Sequence, residues 1–570
     1  MKNDNFQEIY HVFDVVKVMT SNTIWLNSNQ NDLYITINNF GAKFSYAIEN
    51  SHCFQDIEFN QSDKVMMSAE QYGGSGIGAN GGGVRCGNLE GYQIKGIGVN
   101  QVVGTHDNFD HSSGMYPLFE AVTEAINSCV YSTVLPEGVV NYYGIIAIGE
   151  SHHALAPEKA KQQLALGVRD ACIRPAHFMR AAFFKPKEEN KHLVVNDVVR
   201  VRALNKTLKN NFETDNHFIQ HLGKFLATCA KQFAFGKIFR ISHGAVSPSN
   251  LTIDGLWLDL TNATFVPTTQ NYCASNDTIP FLGEPRAIID IVEQQVYHYC
   301  KYNQLELNIA PLINYYLQQF DAYMAHYIVS LFGLQPSIAS TNENSAQRAI
   351  LVKSYLCVVE QNKYPIVGFP NIQQQTDPII KYLEQFFLLL SEHVRHESDN
   401  VMALGTIIDQ VLISTYKSID FDKLLRICCI KSLRKALFSP IFFIGQIHQA
   451  AKALLLNHND DAIAPHIEQY RDVSQWLFEE SEDTSVTLFR SSFLNIGYNA
   501  FEDRYFIQEL KTKKSLIVKS AKELIEQTNK YHNRYFVIGG YNCKSNLIRL
   551  MTLLTRIEAN IVKKYEFGCV

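Results

Sequence analysis

Four stretches of this sequence carry residue types and spacings suited to chemistry, and all fall between positions 70 and 265. The first is rich in glycine: twelve of the chain's 31 glycines lie between Gly73 and Gly104. Backbone so free of side chains bends tightly or comes close to another group, and its N–H groups can approach phosphate. The second is Lys95, just after that segment, whose compact ammonium acts as a point charge on phosphate. It needs a carboxylate to hold it, and Glu120 and Glu124, one helical turn apart, can both reach one neighbourhood. The third is the pair Arg169 and Arg174, whose guanidinium forks match phosphate oxygens. The fourth runs His243-Gly-Ala-Val-Ser-Pro-Ser-Asn250 and on to Asp259. An amide oxygen and a carboxylate are hard ligands suited to Mg²⁺ bridging nucleotide phosphates.

Each stretch also has a plainer reading. The glycines can form a surface loop, Lys95 and the two glutamates can be solvated, and the arginines can form surface salt bridges. His243–Asp259 can be a simple β-hairpin in which Asn250 caps a turn. Gly76-Ile-Gly78-Ala-Asn-Gly81 fits the dinucleotide pattern G-x-G-x-x-G. That motif requires a helix here and an acidic residue about 20 positions on. Gly82-Gly83 oppose the helix, and position 101 is Gln. His152, His153 and His177 lack a third ligand at zinc spacing, and no G-x-S-x-G elbow supports a hydrolytic triad.

The elements that must position these residues are readable in outline. DLYITINNF and GAKFSYAIE, within residues 1–65, alternate as strands. Residues 91–96 form a short strand carrying Lys95. Leu118, Val122, Ala125, Ile126 and Cys129 have the spacing of an amphipathic helix over 118–130. Residues 140–148 read as a buried strand, 183–215 as a charged connection plus a helix, and 218–235 as a helix. Residues 238–260 read as strand–loop–strand, with Asp254-Gly255 as the turn and Leu256–Leu258 as the strand that delivers Asp259. From about residue 285 the pattern is mostly helical, as in Tyr316, Phe320, Tyr323, Tyr327 and Leu331. The fold class is α+β. The expected domains are a β-rich nucleotide-binding lobe over 1–150, a catalytic core over 151–285 and an α-helical region over 286–570.

At 570 residues the chain is long enough for two to four domains or lobes. With 46% hydrophobic and 19% charged residues it belongs with folded globular proteins. A net charge of −5, from 51 Lys+Arg against 56 Asp+Glu, leaves no overall positive field to hold nucleic acid. No apolar run reaches the roughly 18 residues of a membrane span. The opening MKNDNFQEIYHVFDVV has no secretory pattern. The 12 cysteines are scattered without a C-x-x-C pair. These features together predict a cytoplasmic protein with reduced thiols.

Taken in order, YGGSGIGANGGGVRCG, YQIKGIG, SSGMYPLFEAVTEAI, CIRPAHF and HGAVSPSNLTIDGLWLDL resemble the selenoprotein O family of protein adenylyltransferases. The resemblance covers about residues 70–265. It implies a two-lobed, protein-kinase-like fold with a large, mainly helical C-terminal region. It further implies ATP bound in a flipped orientation with Mg²⁺ (or Mn²⁺), and transfer of AMP to a Ser, Thr or Tyr hydroxyl of a protein or peptide. Lys95 then matches the phosphate-binding lysine and Glu124 the helix glutamate that orients it, with Glu120 as a second candidate. Arg174 matches a phosphate-contacting arginine and Arg169 a second one after a two-residue gap, Asn250 and Asp259 match the metal ligands, and Gly82, Gly83 and Arg85 the region covering the nucleotide.

Two positions depart from that pattern. The family has an aspartate, the proposed general base, directly before the Asn. Here it is Ser249, and no carboxylate lies between His243 and Asn250. The family often ends in a redox cysteine or selenocysteine, for which the only counterpart is Cys569. Two alternatives stand beside adenylyl transfer. One is a phosphotransferase acting on a peptide or small molecule, and the other is an ATP-binding pseudokinase serving as an interaction module.

Overall fold

Alternating apolar residues in the first 170 positions build one eight-stranded antiparallel sheet. The computed structural model describes residues 6–27, 37–74, 77–106, 109–154, 160–368, 377–392, 398–456, 460–481 and 484–567. The strands are β1 (Tyr10–Val18), β2 (Asn22–Leu26), β3 (Tyr46–Ala47), β4 (Phe59–Glu70), β5 (Cys86–Leu89), β6 (Tyr92–Lys95), β7 (Tyr142–Ser151) and β8 (Gln162–Asp170). Their order across the sheet is β2-β7-β8-β6-β5-β4-β1-β3. The N-terminal segment therefore joins the same sheet as the lysine strand.

β5 and β6 form a tight hairpin. Glu90 and Gly91 both have positive φ, 50° and 84°, which is the two-residue turn that matches strand twist. It sets Cys86 opposite Lys95, and β8 then sets Gly167 opposite Lys95 and Arg169 opposite Gln93. Paired residues share a face of an antiparallel sheet, as do residues i and i+2. Gln93, Lys95 and Arg169 therefore stand on one face. Ile94, Leu166 and Val168 point the other way, into an apolar core with Phe40 and Phe44.

The face bearing Lys95 is covered by the helix Leu118–Val134, termed here the glutamate helix, which is buried along most of its length. A helix apolar on nearly all sides needs partners on all sides. Besides the sheet, they are the loop after Asp259 and two helices, Ile444–Leu456 and Ile463–Phe478. Asn127 ties helix to loop, its Nδ2 donating to the carbonyls of Leu260 (2.8 Å) and Ala263 (3.0 Å).

The chain is thus a mixed α+β protein with an antiparallel sheet lobe and a helical region. After the sheet come Asp197–Asn210 and Asp215–Phe239, capped by the side chains of Asn196 and Thr214. A largely helical remainder follows, including Glu284–Asn303, Ala310–Leu331, Phe421–Phe438 and Lys544–Phe567. Among the described residues no helix is long and apolar enough to cross a membrane.

Two sequence expectations need correction. Ile37–Phe44, expected to be extended, is a helix, and only Tyr46–Ala47 of GAKFSYAIE is strand. Phe40 and Phe44 are four apart, so helical winding puts both rings on one face, where they meet edge to face at 5.0 Å. Residues 32–36 of DLYITINNF lie outside the described residues. Leu256–Leu258 is not a regular strand: Trp257 makes single bridges to Leu251 and Val139, and the chain turns at Asp259. The region 286–570, read as mostly helical, is mainly helix and also carries strands. Ser485–Arg490, Leu494–Asn499, Arg504–Glu509 and Ser515–Val518 form a four-stranded antiparallel sheet.

Asn127→Ala should lower the thermal unfolding midpoint, because two buried carbonyls lose their donor. A loss of about 1–3 kcal/mol is expected in denaturant titrations; an unchanged midpoint would show that the link from helix to loop carries no stability.

Candidate functional site

A short strand, a helix and a loop, far apart in sequence, bring their charges together at Lys95. Lys95 Nζ donates to Glu124 Oε2 at 2.8 Å and to Asp259 Oδ1 at 2.5 Å. It also lies 4.8 Å from the centre of the Tyr116 ring. Lys95 and Glu124 are each 2% exposed, whereas the Asp259 side chain is one-third exposed, at 33%. A buried charge is tolerable only when paired and hydrogen-bonded. Glu124 meets that requirement on both oxygens: Oε1 accepts from Arg169 Nη1 (2.9 Å), and Oε2 also accepts from the Tyr116 hydroxyl (2.6 Å).

A second layer fixes the arginines. Gln93 Oε1 accepts from Arg169 Nε (2.9 Å) and Nη2 (2.7 Å), and from Arg174 Nη2 (2.9 Å). Arg174 Nη1 donates to the carbonyl of Ser249 at 2.9 Å, joining the end of the sheet to the His243–Asn250 loop. Glu70 lies 3.5 Å from both Arg174 Nη2 and His177 Nε2 and accepts from Asn88 at 2.7 Å. His177 Nδ1 accepts from the Arg174 backbone N–H, which leaves the Nε2 proton facing Glu70.

The His243–Asn250 loop is held from below. Glu284, buried at the start of Glu284–Asn303, accepts from Ser242 Oγ (2.8 Å), His243 N (3.2 Å) and Gly244 N (2.8 Å). Asn250 Nδ2 donates to the Ala245 carbonyl at 2.8 Å, which turns its Oδ1 away from that bond. The backbone of Leu258 donates to the Asn250 carbonyl at 3.2 Å, setting Asp259 beside the asparagine loop. Asp259 itself has φ +59°, a left-handed conformation uncommon outside glycine, although Asp and Asn enter it more readily than most.

Charge dominates the titration of these groups. Burial pushes the Asp259 and Glu124 carboxyls up, but the cations beside them (Lys95 and Arg169, with Arg85 acting on Asp259) overturn this and hold both below their ordinary range. Burial opposes the charge of Arg169 and Arg174, yet the surrounding anions keep both firmly protonated. Burial likewise acts upward on Glu70, but Arg174 and His177 bring it down to about 2. Glu284 has no cation beside it, and burial raises it to about 7.

Most residues singled out from sequence converge here. Lys95, Glu124, Asp259 and Arg169 are in direct contact, Arg174 joins through Gln93, and Asn250 joins through the backbone at Leu258. Glu120 is not the partner of Lys95; it lies 3.4 Å from Arg85, which also donates to the Met115 carbonyl at 2.8 Å. Gly82 sits where the glycine segment folds back on β4, since a Cβ there would lie 2.0 Å from the Glu70 carbonyl oxygen. Gly83 packs under the Tyr72 hydroxyl, and Tyr72 in turn stacks on Arg174, 5.1 Å from its ring centre. Gly76 and Cys569 lie outside the described residues.

Gln93, Glu70, His177, Tyr116 and Glu284 were not legible as site residues. Only Gln93 carried a local signal, since it is two residues before Lys95 on the same strand and must share its face. Tyr116 and His177 lie eight and three residues from Glu124 and Arg174 but carry no pattern that points to them, and Glu70 and Glu284 reach the site through tertiary packing.

Asn250 and Asp259 are the two side chains of this arrangement that could hold a divalent cation. Lys95, Arg85, Arg169 and Arg174 are matched by Glu124, Asp259, Glu70 and Glu120, so the cluster carries no formal net charge. The partly exposed carboxylate of Asp259 and the Oδ1 of Asn250, which accepts a long 3.5 Å bond from the Ser249 hydroxyl, are hard oxygen donors of the kind Mg²⁺ takes alongside phosphate and water. Among the described residues no three His, Cys, Asp or Glu side chains form a metal nest by themselves. Compared with known proteins, the chain matches no protein-family model and no curated protein.

The depressed Glu70 carboxyl makes stability depend on pH. Its contribution is complete above the ordinary value of 4.5 and is lost as the pH falls toward about 2, an effect of about 3 kcal/mol. Denaturant midpoints measured from pH 6 down to 2.5 should fall in the native chain and fall less steeply in Glu70→Gln; parallel curves would remove Glu70 as a contributor.

Proposed function

We propose that this protein binds ATP with a divalent cation at the Lys95 cluster, from the exposed side of Asp259, and transfers AMP to a hydroxyl of a protein or peptide, as the resemblance to the selenoprotein O family implies. The observation that carries this reading is the simultaneous contact of Lys95 with Glu124 and Asp259. In nucleotide-dependent transferases with a kinase-like fold, a strand lysine paired to a helix glutamate contacts phosphates, and an Asn and an Asp hold the metal. The order of glycine segment, lysine strand, glutamate helix, asparagine loop and aspartate supports a two-lobed, kinase-like fold. The scattering of the cysteines along the sequence supports a reducing, cytoplasmic setting.

The chemistry follows from charge placement. Lys95, Arg169 and Arg174 would neutralise the phosphate chain, each already fixed by a carboxylate or amide, so little reorganisation remains at the moment of reaction. Asn250 and Asp259 would hold Mg²⁺ or Mn²⁺, which supplies further neutralisation of phosphate charge when bound. The acceptor oxygen forms a bond to the α-phosphorus, the bond from that phosphorus to the bridging oxygen breaks, pyrophosphate leaves, and the hydroxyl proton passes to solvent. Ser249, whose hydroxyl lies 2.9 Å from Ser247 and 3.5 Å from Asn250 Oδ1, cannot accept that proton as a carboxylate would. General-base catalysis is worth about 10²–10⁴-fold, so turnover by this route is slow. The same serine favours a second reading, a nucleotide-binding pseudokinase that serves as an interaction module.

Incubation with Mg²⁺ or Mn²⁺ and ATP labelled at either the α or the γ phosphate separates the possibilities. Protein label from the α position alone is expected, and Asp259→Ala should abolish it. Label from γ alone would instead indicate a phosphotransferase, and binding without either label the non-catalytic module.

A further inference from the structure

Glu124 meets Lys95 only while its helix keeps one rotation about its axis. An α-helix turns 100° per residue, so residues five positions to either side of Glu124 lie about 140° away, on the far face. These residues are Phe119 and Cys129, and each is gripped by one helix of the C-terminal region. The Phe119 ring meets His448 edge to face at 5.7 Å and lies 4.7 Å from the ammonium of Lys452, both on Ile444–Leu456. Cys129 Sγ lies 3.0 Å from Arg471 Nη2 on Ile463–Phe478.

Arg471 is 5% exposed and its fork joins three elements. Nη2 also donates to Asn27 Oδ1 at 2.8 Å, just beyond β2, and Nη1 pairs with Glu468. Glu468 in turn accepts from the Trp25 indole of β2 at 3.2 Å. A guanidinium buried this far from solvent is held by its full set of partners, and those partners fix the helix against the sheet.

We propose that Arg471 is a positioning residue for Glu124. The helices Ile444–Leu456 and Ile463–Phe478 form an internal brace that keeps the glutamate helix turned onto Lys95. The consequence for Mg·ATP affinity rests on the function proposed above, whereas the mechanical content of the brace does not.

The test uses the full chain as the native sequence, Arg471→Ala, Arg471→Lys, Glu124→Gln and the Arg471→Ala/Glu124→Gln double variant. All are held below their unfolding midpoints. Acylation of Lys95 by a limiting amine reagent is quantified by mass spectrometry, and affinity for Mg·ATP by titration. Arg471→Ala should raise Lys95 acylation several-fold and weaken Mg·ATP by about tenfold, with partial recovery in Arg471→Lys. Because the effect passes through Glu124, the double variant should bind no more weakly than Glu124→Gln alone. Lys237, buried in a separate ion pair with Glu360 at 2.8 Å, is the control, and an equal rise there would reveal general loosening and overturn the proposal. So would unchanged Lys95 labelling or additive losses of affinity. If the native chain does not bind Mg·ATP, the nucleotide reading fails by itself, and Lys95 labelling still decides the brace. Should Arg471→Ala not fold, Glu468→Gln carries the same measurements.

Discussion

The buried ion pair between Lys95 and Glu124 constrains most of this structure. Two charges removed from water are costly unless each is paired and its remaining hydrogen-bonding capacity is used. Glu124 therefore needs Arg169 and Tyr116 as well as Lys95, Arg169 needs Gln93, and Lys95 needs Asp259. Each requirement draws in another element, so strand, helix and loop are bound into one electrostatic unit. Asp259 is the one member of this group with substantial exposure, which is where a ligand would meet the cluster.

The same logic extends into the helical region. Lys431, Arg434 and Lys435 on Phe421–Phe438 are almost fully buried and point at the end of Ile463–Phe478. Arg434 donates to the carbonyls of Leu477, Glu479 and Thr487, and Lys431 to that of Ser481. Cations are favourable at a helix C-terminus, where carbonyls lack partners. Lys435 lies over the rings of Phe239 and Phe478, and burial lowers its pKa to about 8. These contacts pin the very helix that carries Arg471. A mechanical chain thus runs from the centre of the helical region, through Arg471, to the glutamate helix and Lys95.

Local pattern made some of this legible and not the rest. The glutamate helix was readable because its apolar positions recur at helical spacing, and the lysine strand because it is short and bounded by glycine. The four-stranded sheet at Ser485–Val518 carried the same kind of signal, with Val486 and Leu488, Leu494, Ile496 and Tyr498, and Tyr505 and Ile507 alternating along successive strands. These short alternations sit within a region dominated by helical periodicity, which masks them. The segment Leu256–Leu258 misled for the opposite reason. Three alternating residues look like a strand, yet only Trp257 finds partners, because the chain must turn at Asp259.

Sequence alone determined which residue types were available for polyphosphate chemistry, the order of the elements carrying them, and the face of β6 on which Lys95 stands. These follow from near-neighbour geometry: the two-residue period of a strand, the 3.6-residue period of a helix and the demands of a tight turn. Tertiary structure decided which carboxylate pairs with Lys95. Glu120 and Glu124 are equivalent by spacing, and only packing against the sheet turns one to Lys95 and the other to Arg85. It also decided the supporting roles of Glu70, Gln93, His177, Glu284 and Arg471. Their partners lie from three to several hundred residues away, and a buried charge is stabilised by proximity in space, which no local pattern of residues encodes.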